Sequence, residues 1–152
     1  SGTLPMEVNQ MDLIPLENEL SLQRQWRRCD QLARRYGMRL TRGQFEHLAQ
    51  ARRQVLQDTG RIDFGGGVLD QLVYAFCDSP FVESRGFALF LEQMQELFYI
   101  FKNETQDAAT DEELIQALAA LFNGEAQGSL EYLAEIPPQR LVRVAYGKEN
   151  YR

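Results

Sequence analysis

Apolar residues recur at three- and four-residue spacing through most of the chain, most densely over 87–101, FALFLEQMQELFYIF. Phe87, Phe90, Leu91, Met94, Leu97, Phe98 and Phe101 fall along one side of a helix. Leu89, Tyr99 and Ile100 lie off that stripe, which leaves mainly Glu92, Gln93, Gln95 and Glu96 for water. A helix so apolar around its circumference belongs inside a bundle, where neighbours cover several sides. The pattern predicts a central helix over 84–103.

The flanking segments supply amphipathic neighbours for it. A first helix is expected over 17–36, with Gly37 at its C-terminal stop. Leu22, Trp26, Cys29, Leu32, Ala33 and Tyr36 share its inner side; Arg24, Arg27, Arg28, Arg34 and Arg35 share the other. Thr41 and Gln44 form a capping box that opens a second helix, ended by Gly60, with Phe45, Leu48, Ala49, Val55 and Leu56 inward and His47 on the polar side. TGRIDFGGG (59–67) breaks the rhythm, with a short extended piece expected around Ile62 and Phe64. A third helix is expected over 68–77, stopped by Asp78-Ser79-Pro80. A second capping box, Thr110 with Glu113, opens a helix burying Leu114, Ile115, Leu118, Leu121 and Phe122. Short helices over 129–136 and 139–146 flank Pro137-Pro138. The expectation is an all-α, single-domain helical bundle over 1–152, of six or seven helices around helix 84–103. An irregular arm over 1–16, containing Pro5 and Pro15, precedes it and a polar tail over 147–152 follows.

Composition agrees with a folded domain: 152 residues, 44% hydrophobic and 25% charged. The formal charge of −6 disfavours general nucleic-acid affinity. Its distribution is uneven. Nine arginines lie between 24 and 53 against Asp30 and Glu46, whereas seven basic residues face fifteen acidic ones from residue 61 onward. Cys29 and Cys77 are isolated and read as reduced thiols of a cytoplasmic protein. The first residues, SGTLPMEVNQ, have neither the basic nor the apolar region of a signal peptide; Ser1-Gly2 reads as a tag remnant and Met6 as a native start. The longest apolar run, 86–91, falls far short of the roughly 20 residues a membrane span requires.

Catalytic chemistry finds little support. His47 is the single histidine, and a nucleophilic pair with Cys77 would need the thiol pKa lowered at the end of an apolar helix. No metal-ligand spacing is present, and no metal or cofactor is expected. Glu104, Asp107, Asp111, Glu112 and Glu113 crowd together, but lack calcium-loop spacing, and capping accounts for three of them. Gly65-Gly66-Gly67 beside Arg61 offers backbone N–H groups to an anion, although a bare glycine triplet more often marks a tight turn. The arginine face of the first helix suits carboxylates or phosphates, because the guanidinium donates two parallel hydrogen bonds. Fourteen of the sixteen basic residues are arginine, so the choice of arginine is partly compositional.

GRIDFGGGVLDQLVYAFCDSPF (60–81), LFYIFKNET (97–105) and the stretch from TDEELI (110–115) through LFNGEAQGSLEYL (121–133) resemble a family of small uncharacterised proteins of Gram-positive bacteria. The resemblance implies a cytoplasmic protein and brings no functional residues with it. These segments hold Arg61, Asp63, Cys77, Asp78, Lys102, Asn103, Glu104 and Glu125, where a polar ligand site would be sought. The leading expectation is a non-enzymatic interaction module or accessory subunit, with Arg24, Arg27, Arg28, Arg34 and Arg35 meeting another protein or a second copy. The alternatives are an enzyme or small-ligand binder at 61–63, 77–78 and 102–104, and weak nucleic-acid binding by the arginine face.

Overall fold

Seven α-helices and one 3-10 turn make up the regular structure of the computed structural model, which describes residues 3–62 and 67–149, with side chains from residue 19 onward. The helices are α1 (Thr3–Arg34), α2 (Arg42–Thr59), α3 (Leu69–Phe76), α4 (Phe87–Glu104), α5 (Asp111–Asn123), α6 (Leu130–Ala134) and α7 (Pro138–Ala145). The 3-10 turn, Ser84–Gly86, leads directly into α4. No strand occurs among the described residues, so the fold is all-α.

Both capping boxes form, and each side-chain cap is worth about 1 kcal/mol. The Thr41 and Thr110 hydroxyls accept from the N–H groups of Gln44 and Glu113, whose side chains accept from the threonine N–H groups in return. Gly60 closes α2 in the left-handed region at φ 66°. After α1 the chain reverses through Gly37 (φ 79°), and Met38 N–H donates to Ala33 C=O at 3.0 Å.

The expected arm over 1–16 is corrected: α1 begins at Thr3. Pro5 falls in the first turn, where its missing N–H would have had no intrahelical partner, so only Pro15 interrupts the ladder. The extended piece expected around Ile62 does not form at that residue, which lies exposed in irregular chain; Phe64 lies outside the described residues.

One continuous apolar cluster draws on every helix. Phe76 of α3, Phe90 of α4 and Phe122 of α5 meet with ring centroids 5.2–5.6 Å apart, pinning three helices at one point. α4 is central as predicted, with two corrections. Leu89 (59% exposed) and Ile100 (42%) have no covering neighbour, whereas Gln95, expected in water, is 1% exposed. The reason is a polar seam between α2 and α4. Glu92, Gln95, Tyr99 and Asn103 lie at spacings of three, four and four along α4. They meet His47 (3.1 Å), the Leu48 carbonyl (3.1 Å), Arg52 (3.3 Å) and Arg61 (3.0 Å) in turn.

Candidate functional site

The polar residues picked from sequence separate into two groups. At the C-terminal end of α4, Arg61 donates to Asn103 Oδ1 at 3.0 Å and also reaches the Asp107 carboxylate. Lys102 is only 6% exposed; its ammonium donates to Ala109 C=O at 2.9 Å and pairs with Asp111 (2.9 Å) and Asp107 (3.4 Å). The Arg61 guanidinium, followed by Lys102, holds the Asp107 carboxyl below its ordinary pKa. Gln106 and Asp107 both take positive φ, 54° and 58°, so this clasp fixes a strained turn between α4 and α5.

Cys77 and Asp78 do not join it. They follow α3, whose Phe76 packs on Phe90, about 18 Å along the helix axis from Lys102. Asp63 lies outside the described residues, and Glu104 is exposed. Arg61, Lys102 and Asn103 therefore converge, but mainly on protein carboxylates and carbonyls. Their hydrogen bonds are used in holding the turn.

The other sequence candidates have equally local explanations. The Cys77 thiol lies 3.8 Å from Tyr74 C=O, and burial, then the nearby Asp78 charge, raise its pKa; His47 turns instead to Glu92. Glu113 is engaged in capping, and no group of three potential metal ligands occurs among the described residues. Gly67 sits at φ 74° with the Arg52 side chain where a Cβ would stand; Gly65 and Gly66 lie outside the described residues. Glu125 is held by Arg140 and by Tyr132 Oη at 2.6 Å, which lower its pKa to about 2. Arg140 also reaches Glu149, tying the start of the tail back onto α7.

A different surface has the shape of a site. α3 packs against α1 and α5 and is much shorter than α1, leaving a trough of about 1000 Å³ over its outward face. Leu32, Ala75, Ile115 and Ala119 give it apolar walls and floor, and Tyr74, 73% exposed, stands in it. On the α1 side Asp70 accepts from Gln25 (2.8 Å), Arg28 (3.0 Å) and the Cys29 thiol (3.4 Å). Burial, reinforced by the Asp70 charge, pushes the Cys29 pKa far up, so the thiol stays protonated.

The predicted arginine face borders this trough. Only Arg28 lines it; Arg24 lies one turn earlier on α1, about 40° beyond Arg28, and Arg35 follows the end of the helix, whereas Arg27 and Arg34 project from the far edge. All five are exposed. Arg34 is paired with Asp30 at 2.8 Å and Arg28 with Asp70, but Arg24, Arg27 and Arg35 have no carboxylate partner among the described residues. The opposite lip, on α5, carries Asp111 and Glu112. Sequence reading found the arginines but missed Gln71, Tyr74 and Ala75. The available signal was the polar outer face of α3, which gains significance only when α1 and α5 rise beside it.

Residues 25–148 match the model of a family described as a family of unknown function (DUF6323), and the chain belongs to that family. The match includes every described residue lining the trough and excludes residues 3–24 of α1. No curated protein and no solved structure matches the chain.

Proposed function

We propose that this member of a family of unknown function is a non-enzymatic helical interaction module that receives a partner protein in the α1/α3/α5 trough. The observation that carries the reading is an open apolar floor between lips of opposite charge, with Tyr74 projecting from it. Exposed aromatics with a polar tip are favoured anchors in protein interfaces. Cys29, which lines the trough, is buried with its pKa raised by that burial, which disfavours the thiolate a nucleophile needs.

The setting in this reading is a single domain in a bacterial cytoplasm, supported by the resemblance to Gram-positive proteins and by two unbridged, buried cysteines. No helix among the described residues is long and apolar enough to cross a membrane. A ligand site joining 61–63, 77–78 and 102–104 loses its support, because Cys77 and Asp78 stand apart from Arg61 and Lys102. Nucleic-acid binding by the arginines is disfavoured by the acidic lip beside them.

A photo-crosslinking residue placed at Tyr74, and separately at exposed Leu89, tests the proposal in the protein's native cell. A discrete protein adduct from position 74 and none from 89 supports it. Equal adducts from both positions, or none from 74, overturns it.

A further inference from the structure

We propose that the trough's occupant is one amphipathic α-helix of a partner protein, with acidic residues on the flank facing α1 and basic residues on the flank facing α5. This rests on the reading of the trough as a protein-docking site and names the chemistry of what docks there.

The absence of a sheet among the described residues argues for a helix. An extended segment draws affinity from main-chain hydrogen bonds to a strand edge, and the trough offers no such edge. A helix satisfies its backbone internally and needs only side-chain contacts. The dimensions agree. α3 has eight residues and α5 thirteen, so their lengths span roughly 12 and 20 Å, enough for two to four turns of a docked helix. Ala75 and Ala119 are small and partly open, which lets another helix approach to the usual 8–10 Å interaxial distance. Leu32 and Tyr74 then meet its apolar face.

Shape also argues against a second copy joined trough to trough. Two concave surfaces cannot fill one another, whereas a rod fills one. Arg28 is already paired with Asp70 and Asp111 with Lys102, so the charges left for a partner are Arg24 and Arg35, exposed on the α1 side, which attract carboxylates, and exposed Glu112 on the α5 lip, which attracts cations. A helix with both flanks acidic gains at the first lip and is repelled at the second; a doubly basic helix has the reverse problem. Only a helix of mixed flanks matches both. The inward rows discriminate by packing, and the lips discriminate by charge.

Three stapled 16-residue helical peptides with one shared Leu/Ala face test this against the full chain. One carries Glu on both flanks, one Lys on both, and one Glu on one flank with Lys on the other. Binding is read by fluorescence anisotropy at low and at high salt. The mixed peptide is expected to bind at least tenfold tighter than either uniform one, with the gap closing as salt screens the lips. The double variant R24E/R35E makes both lips acidic, so its preference should move to the all-Lys peptide. E112K should move preference toward the all-Glu peptide. These side chains are exposed, so loss of fold is not expected, and circular dichroism with the thermal midpoint verifies it.

Equal binding of all three peptides, or no change of preference in both variants, overturns the proposal. Binding of none, while the Tyr74 crosslinker still captures a protein, overturns the helical occupant and leaves the docking reading standing. A captured second copy, or captured nucleic acid, overturns it as well. Failure of both peptide binding and capture removes the two together.

Discussion

The clasp at the end of α4 and the trough between α1 and α5 contain similar kinds of residue, but they direct them differently. In the clasp, Arg61, Lys102, Asn103, Asp107 and Asp111 face one another, and Lys102 is nearly fully buried. Around the trough, Arg24 and Arg35 lie exposed near Leu32, Ala75 and Ala119, which the core covers only in part. Polar groups that satisfy one another stabilise a turn and resist change. Charges left to solvent beside apolar surface add little stability and are available to a partner. Of the residues marked in sequence for a polar ligand site, Arg61, Lys102 and Asn103 belong to the first kind.

That contrast breaks if the clasp proves dispensable. Lys102→Ala takes the cation from half-exposed Asp111 and leaves Ala109 C=O without a donor, and should destabilise by roughly 2 kcal/mol in urea unfolding. A loss below about 1 kcal/mol, the range of a surface pair, would return the clasp to the list of candidate sites. Arg140→Ala removes the partner of both Glu125 and Glu149 and should cost roughly 2 kcal/mol.

The same clip gives a pH test with a definite sign. Glu125 has an ordinary pKa of 4.5 and a folded value of about 2, so its contribution is full above about 4.5 and is lost as pH falls through about 2. Glu125→Gln should therefore be clearly less stable than the native chain at pH 6, and the difference should shrink steadily towards pH 2. A constant difference across that range would remove the ionic account. Gly128→Ala sharpens the packing side of the same region. Gly128 has φ 82°, and an added Cβ would stand 2.6 Å from Phe81 Cβ, so a loss of roughly 2 kcal/mol in thermal unfolding is expected.

The smallest effect carries the most information. Tyr74→Ser removes an exposed ring and should change stability by no more than about 0.5 kcal/mol, while abolishing partner capture by a crosslinking residue placed at the neighbouring trough position Gln71. A large loss of stability would mean that Tyr74 is part of the fold, and the contrast between clasp and trough would fail at its key residue.

Local sequence patterns determined much of this protein. The 3.6-residue periodicity located the helices, the Thr-x-x-Gln and Thr-x-x-Glu pairs fixed two helix starts, and Gly37 and Gly60 marked two stops. These signals operate within one or two turns, so they need no knowledge of neighbours. The beginning of α1 was missed because two prolines outweighed helical spacing in the reading, although the first-turn proline costs no hydrogen bond. Tertiary structure decided the rest. Gln95 is buried because α2 crosses α4 at that register, while Leu89 and Ile100 stay exposed because no helix covers them there. Asp107 and Asp111 are compensated because the turn brings them to Lys102, and Tyr74 stands in a trough only because α1 and α5 flank α3. Periodicity states which face of a helix is apolar; only packing decides which apolar surface is left for a partner.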